Sequence, residues 1–475
     1  MNVDPQVEEK KELADESFRD SIATVDRKGE RVWIYPKKPK GKFYNARTWV
    51  SFLLLAIFFG GPFIHIGGQP LLLLNFLERK FIVLGLAFWP QDFHLFLLAT
   101  ITFVVFIVLF TAVFGRVWCG WACPQTVFME LVYRKIEYLI EGDARQQKKL
   151  NSMPLNGEKF FKKSLKHIIF LGIAFLIGNM FMAYIVGIDE TLKIVTSSPS
   201  EHMTGFISVI VFSGIFYFVF SRFREQACVI VCPYGRFQSV LLDKTSIVIS
   251  YDFLRGEKRG KVSKRKEPKP DQGDCIDCNQ CVDVCPTGID IRNGTQLECV
   301  NCTACIDACD TVMDKINKPR GLIKYASYNA IKENNHKLIT PRALGYTAVL
   351  TALIVLLTTL LVLRSPIETT ILRSPGTMFT MLENGNVSNL FSVKIVNKTF
   401  EKMPLEFNLK GIEGKLILAG STLVIEPDGI GQSALIVEFD PSVLKPGKNS
   451  ITIEITSNGE ILDTVTTGFV APGAN

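Results

Sequence analysis

Charge is what this sequence has little of. Only 21% of its 475 residues are Asp, Glu, Lys or Arg. Five stretches contain none of them: Thr48–Gln69, Phe93–Gly115, His167–Ile188, His202–Ser221 and Ala343–Leu363. Each holds about 20 residues, the length a helix needs to cross a hydrocarbon core of roughly 30 Å. That excludes an ordinary soluble enzyme. Histidine is scarcer still, at five residues. No G-x-G-x-x-G opens a strand–helix unit and no P-loop occurs, so the chain shows no dinucleotide site of its own. The first residues, to about 45, lack an apolar core, so no cleavable signal peptide is expected before the first span. The net charge of +7 fits the loops of a membrane protein and requires no nucleic acid.

The loops set an expected topology. Lys37–Arg47 carries Lys37, Lys38, Lys40, Lys42 and Arg47 and no acid. Arg116–Lys166 holds Arg134, Lys135, Arg145, Lys148, Lys149, Lys159, Lys162 and Lys163, whereas Pro70–Asp92 and Asp189–Glu201 are poor in Lys and Arg. By the positive-inside rule the N-terminus faces the cytoplasm, and five spans leave the tail beyond Arg364 outside. The apolar stretch Leu71–Trp89, broken by Glu78, Arg79 and Lys80, reads as a re-entrant or interfacial hairpin.

The expected organisation is a polytopic α-helical membrane protein. Residues 1–45 form a cytoplasmic tail and 46–240 a four-helix membrane core. Residues 241–335 hold a cytoplasmic linker and a small domain, 336–366 the fifth transmembrane helix, and 367–475 an outer β-domain. The basic run Glu257–Pro270 reads as a solvated linker beside anionic lipid headgroups, with a docking surface for an acidic redox partner as the sharper alternative. The tail alternates apolar and polar residues over Phe391–Val396 and Ile451–Ile455 and carries an Asn458-Gly459 turn signal. That pattern predicts a β-sandwich. The tail has no Cys and no His.

All twelve cysteines lie on or beside the expected cytoplasmic face, where thiols stay reduced. Cys275, Cys278, Cys281 and Cys285 are spaced x2, x2, x3 and followed by Pro286; Cys299, Cys302, Cys305 and Cys309 repeat the spacing. This is the ferredoxin arrangement for two [4Fe–4S] clusters, in which the fourth Cys of each run ligates the other cluster. Cluster one then takes Cys275, Cys278, Cys281 and Cys309, and cluster two takes Cys299, Cys302, Cys305 and Cys285. A pair of zinc sites is the alternative, but zinc ligands usually come as C-x2-C pairs set well apart. Asp310 stands where the second run would usually have Pro, which removes no ligand.

The other four cysteines form two C-x3-C-P motifs, Cys119/Cys123 before Pro124 and Cys228/Cys232 before Pro233, 109 residues apart at either cysteine. Spacing i, i+4 places both thiols of a pair on one face of a helical turn, and each Pro fits the first turn of a new helix. Two duplicated transmembrane hairpins, each presenting two thiols at the same depth, can make one shared soft-metal or redox site. Four small residues packing helix ends is the other reading. His65, His94 and His202, with Met180, Met182 and Met203 at similar depth, form a mixture suited to external copper, though interfacial His and gap-filling Met are commoner. His167 and His336 read as interfacial or surface residues.

Together, Gly115-Arg-Val-Trp-Cys-Gly-Trp-Ala-Cys-Pro124, Cys228-x3-Cys232-Pro-Tyr-Gly-Arg-Phe-Gln238, the two-run ferredoxin block and the β-rich tail resemble the CcoG family, also called FixG or RdxA. These are accessory proteins of cbb-type haem–copper cytochrome oxidases. The resemblance runs from Val32 into the tail, where Asn397-Lys-Thr399 looks like part of the family's immunoglobulin-like domain. It implies an inner-membrane protein of bacteria that serves oxidase biogenesis by reducing Cu(II) to Cu(I). Copper would be its substrate, and the electrons would come from a cytoplasmic donor or from quinol. It also implies copper chaperones or oxidase subunits as partners. Cys119, Cys123, Cys228 and Cys232 would be the copper or relay thiols. A pure electron-transfer module for another redox enzyme and an assembly scaffold are the competing classes.

Overall fold

The computed structural model describes residues 23–26, 28–77, 80–261, 272–333, 340–376, 378–419 and 423–473. The expectations for His336, for Glu78 and Arg79, and for most of the basic run Glu257–Pro270 lie outside the described residues. The chain divides into two compact units. One comprises residues up to Gly61, Thr100–Ala183 and Gly187–Ile354; the other comprises Pro62–Ala99, Tyr184–Val186 and Val355–Asn475.

Five helices are long and apolar enough to cross a membrane, at the five charge-free stretches: α1 (Lys42–Gly60), α2 (Phe93–Phe114), α3 (Gly157–Val186), α4 (Met203–Phe218) and a fifth over Pro341–Val362. In the first unit, aromatic rings fill the bundle. Tyr133 stacks on Phe220 at 4.7 Å and meets Phe170 edge-on at 4.7 Å. Gly178 lets α3 approach α4 closely, since a Cβ there would lie 2.7 Å from Ser213 Oγ; small residues serve this purpose where helices pack in lipid. Beside these rings, buried charges pair with one another. Arg224 makes two bonds to Glu137 at 2.8 and 2.9 Å, Arg134 reaches Glu130 at 2.9 Å and Glu225 at 3.4 Å, and Lys166 reaches Glu141 at 2.8 Å. Unpaired, such charges would be too costly to bury.

The cysteine block of the same unit is built mostly of loops, because the cysteine runs dictate its path. Two short antiparallel strands, β1 (Val248–Tyr251) and β2 (Ile323–Ala326), and helix α5 (Ala304–Lys315) close it. The same two positions of each run, Asp277 and Asn279 and then Asn301 and Thr303, adopt left-handed φ of 51–65°. This non-glycine strain wraps the chain around each cysteine pair. The Asp307 carboxylate on α5 accepts from the backbone N–H of Phe43 (3.2 Å) and Tyr44 (2.8 Å). It thereby caps the first turn of α1 from outside that helix.

In the second unit, the stretch read as a re-entrant or interfacial hairpin forms an antiparallel three-stranded sheet, Leu72–Asn75, Lys80–Val83 and Leu86–Phe88. Leu84 and Gly85, both at positive φ, turn Val83 back onto Leu86 as a two-residue hairpin turn. The tail is a β-sandwich. One sheet orders β6 (Lys415–Leu418), β8 (Ile430–Phe439), β4 (Val387–Asn397) and β3 (Ile367–Arg373); the other orders β7 (Leu423–Ile425), β5 (Met403–Lys410), β9 (Gly447–Ser457) and β10 (Glu460–Ala471). Phe391, Val393 and Ile395 on β4 are fully buried while Ser392 and Lys394 between them are exposed, the alternation that one inward face requires. Asn458 and Gly459 make the β9–β10 turn at φ 49° and 86°. Asp92, buried in this unit, accepts from Arg364 at 2.6 Å and Lys398 at 2.8 Å.

Candidate redox site

Two cavities open inside the cysteine block. One is lined by Cys275, Cys278, Cys281 and Cys309 together with Tyr251, Arg292 and Met313. The other is lined by Cys285, Cys299, Cys302 and Cys305, with Cys281, Ile249, Ile289 and Ile291 also around it. Each cavity thus gathers three cysteines of one run and the fourth of the other. No group of three or more Cys, His, Asp or Glu among the described residues is placed to hold a single metal ion. Wide-set thiols around an apolar cavity fit a cubane, in which each thiolate takes its own iron. They do not fit zinc, which draws four ligands to about 2.3 Å.

Burial pushes the thiols of Cys281, Cys299 and Cys309 up to about 12. Left alone they would be protonated and inert; a bound cation is what turns such thiols into thiolates. Arg292 lines the first cavity and donates to Asp277 at 2.6 Å and to Asp290 at 2.6 Å, which fixes a positive charge beside Cys281. Cys278 is the exposed cysteine of the eight.

The C-x3-C-P motifs differ from the helical-turn expectation in one respect. Cys119 sits in the short helix Val117–Trp121 and Cys228 in the wide π-turn Ala227–Val231. Cys123 and Cys232, however, are extended residues at the break, each the cap of a new helix begun by the following Pro. Proline at the first helical position needs no N–H partner, so the break forms there. The two copies match in detail. Cys123 N–H donates to Trp118 O (2.9 Å) and Cys232 N–H to Ala227 O (2.8 Å). Gly115 and Arg224, which follow the two span ends, both take left-handed φ, 58° and 55°. The cost of that conformation falls on Arg224, and Glu137 and Trp33, whose ring lies 4.9 Å from the guanidinium, hold it there.

The copies also bond to each other. Arg116 donates to Gly235 O, Gln125 to Arg224 O at 3.3 Å, and the Cys119 thiol to Gln238 Oε1 at 3.0 Å. Burial raises the Cys119 thiol to about 12, with Cys123 adding to the rise and Arg116 opposing it. Cys123 and Cys228 are shifted the same way, burial first.

This thiol region packs directly on the ligand loop Cys299–Cys302. A Cβ at Gly120 would strike the carbonyls of Asn301 and Val300. Arg47 bridges Gly120 O (2.9 Å) and Cys302 O (2.8 Å), Arg116 also donates to Leu297 O, and Trp121 Nε1 reaches Tyr325 Oη at 3.1 Å. Arg47, Gln238 and Asp307 were not among the residues expected from sequence. A signal existed for Arg47, a buried cation inside an apolar helix. The His and Met residues considered for copper are divided between the two units. His65 and His94 are exposed in the sandwich unit, while Met182 is buried in the other, which also holds Met180, His202 and Met203. His167 is exposed and pairs with Tyr217 Oη at 2.9 Å.

Paired cysteine runs around two cavities, membrane-length helices and a β-sandwich tail define an iron–sulfur protein of the membrane-helix, polyferredoxin type. Residues 223–328 match the family described as a 4Fe-4S dicluster domain, residues 96–141 a 4Fe-4S binding domain, and residues 357–472 the IG-like fold at the C-terminal of FixG. Protein RdxB of Cereibacter sphaeroides is 35% identical over 387 residues, 78% of this chain and 80% of its own. Protein RdxA of the same organism is 33% identical, covering 81% of this chain and 83% of its own. The nitrogen fixation protein FixG of Rhizobium meliloti is 30% identical, covering 84% and 85%. A crystal structure of a FixG-related protein from Vibrio parahaemolyticus aligns with 22% of this chain and 97% of its own, at 21% identity and a TM-score of 0.20. The chain belongs to the FixG/RdxA family.

Proposed function

We propose that this protein transfers single electrons from a cytoplasmic donor or from quinol to Cu(II), producing Cu(I) for assembly of a cbb-type oxidase in the bacterial inner membrane. The observation that carries the reading is the packing of Gly120, between Cys119 and Cys123, on the backbone of Cys299–Cys302. When bound, [4Fe–4S] clusters store single electrons at potentials low enough to reduce Cu(II).

The roles of the residues follow. Cys275, Cys278, Cys281 and Cys309 hold cluster one, whose exposed Cys278 makes it the side a donor reaches. Cys285, Cys299, Cys302 and Cys305 hold cluster two. Arg47 and Arg116 bind the carbonyls of the second run and keep its loop against the C-x3-C-P region. Cys119, Cys123, Cys228 and Cys232 are the relay. Of the two roles expected for them, relay is the one supported by their position beside the loop of the second run. The basic loops favour an N-terminus and ferredoxin block in the cytoplasm and the sandwich in the periplasm, where it would meet copper chaperones or oxidase subunits.

Adding Cu(II) and a Cu(I)-specific chelator to anaerobically purified, chemically reduced protein tests the reading. Cluster reoxidation matched one-for-one by Cu(I) formation is expected. Clusters that stay reduced would remove copper as the acceptor and direct attention to a partner enzyme.

A further inference from the structure

We propose that Arg47 and Arg116 are the fixed counter-charges of the second cysteine run, and that they set the cluster held there at a higher reduction potential than its neighbour. Electrons entering at the exposed Cys278 are thereby drawn inward, toward the C-x3-C-P hairpins. The inference rests on the cluster ligands assigned above and adds the direction of flow.

Each arginine holds one hairpin and the ligand loop together. Arg47 donates to Gly120 O at 2.9 Å and to Cys302 O at 2.8 Å. Arg116 donates to Gly235 O on the second hairpin, and to Leu297 O and Cys299 O (3.4 Å) on the loop. Both residues are buried, at 3% and 5% exposure. Among the described residues their hydrogen bonds go to backbone carbonyls and none to a carboxylate. Arg47 Nη2 and Arg116 Nε are buried without a hydrogen-bond partner there. Glu130, which shares a pocket with Arg47 and Cys302, is paired with Arg134 at 2.9 Å. A buried cation without a counter-charge is too costly to keep. The four thiolates of Cys285, Cys299, Cys302 and Cys305 supply it, since they outweigh the positive charge of an iron–sulfur core.

The first run is set differently. Arg292 lines its cavity, but Asp277 and Asp290 each accept from that guanidinium at 2.6 Å, and two acids outweigh one base. Asp307 stands on α5 between Cys305 and Cys309, a ligand of each cluster, so its charge favours neither. The duplication repeats the contrast. The residue 109 positions after Arg116 is Glu225, paired with Arg31 at 3.0 Å and Arg134 at 3.4 Å. The copy whose residue 116 reaches the ligand loop thus carries the cation. Reduction adds one negative charge to a cluster, and nearby charge and hydrogen bonds set how readily that happens. A fixed cation in a buried site acts with little screening. Solvent works the other way, since the exposed Cys278 leaves the first cluster the better hydrated. Two unneutralised guanidinium groups outweigh that difference.

EPR-monitored redox titration of the full-length, anaerobically purified protein tests the assignment, wild type beside Arg47→Gln, Arg47→Lys and Asp277→Asn. Arg47→Gln is expected to lower the higher couple about tenfold in its reduction constant, about 59 mV for one electron, and to leave the lower couple in place. Arg47→Lys keeps the charge and should hold the higher couple near its wild-type value. No shift in Arg47→Gln, a shift of the lower couple instead, or equal shifts in the two Arg47 variants would each overturn the proposal. Should Arg47→Gln fail to fold, Asp277→Asn decides, because asparagine accepts the left-handed backbone at φ 51°. Removing that acid unmasks Arg292 and should raise the lower couple; a raised higher couple, or no change, overturns the order. If the couples move as expected in a protein that Cu(II) does not oxidise, the copper reading falls and the charge assignment stands. If Cu(II) oxidises clusters whose couples stay unmoved, the assignment falls and the copper reading stands.

Discussion

Gly120 is the residue at which the two cysteine systems touch. Its missing side chain lets the Cys119–Cys123 loop lie on the carbonyls of Val300 and Asn301. Gly120→Ala forces these backbones apart, with an overpacking cost of about 1–3 kcal/mol. A lower melting temperature and a perturbed EPR signal from cluster two are expected, the other ferredoxin signal remaining as it was. An unchanged spectrum would mean that the loops have room the structure does not show. Asp92 gives a pH-dependent case. Burial works to raise its carboxyl, but bonds from Lys398 and Arg364 outweigh that and hold it below the usual range. Its folded pKa is depressed, so its stabilisation is fully present above the unfolded value of about 3.9 and is lost as pH falls through the folded one. Asp92→Asn should therefore unfold more easily at neutral pH than the wild type, with the gap narrowing as acid is added. A gap independent of pH would remove the carboxylate from the account.

At the scale of elements, the second hairpin depends on a buried pair. Arg224 holds a left-handed backbone that its counterpart Gly115 adopts freely, and Glu137 on the neighbouring segment fixes its guanidinium twice. Glu137→Gln leaves Arg224, Arg134 and Lys166 short of a buried negative charge, a loss on the order of 3–5 kcal/mol. Thermal unfolding in detergent should show it, and adding Arg224→Gly should recover part of the loss, because glycine accepts the left-handed conformation. No recovery would locate the cost outside the Arg224–Glu137 pair. These pairings were not legible in the sequence. Nothing local in a sequence says which acid a buried base such as Arg224 will meet. The cysteine spacings and the two Pro residues were legible, because helix breaks are written in consecutive residues. The extended conformation of Cys123 and Cys232 was not, since i, i+4 spacing presumes an unbroken turn.

For the whole molecule, the five spans followed from the absence of charge, and the sandwich from alternation over Phe391–Val396 and Ile451–Ile455. The Leu71–Trp89 stretch showed its apolar character without its strands, because short apolar runs satisfy helix and strand periodicity alike. How the ferredoxin block meets the membrane helices was beyond sequence reading altogether. It rests on single long-range contacts, Asp307 to the first turn of α1 and Arg47 to Cys302. The central claim is that electrons leave the ferredoxin block through the C-x3-C-P thiols. Stopped-flow oxidation of reduced protein by Cu(II), wild type against Cys228→Ser/Cys232→Ser, tests it most directly. The account predicts a variant whose ferredoxin clusters assemble and reduce normally but whose oxidation by Cu(II) is at least tenfold slower, about 1.4 kcal/mol or more in barrier. Equal rates in the two proteins would contradict it.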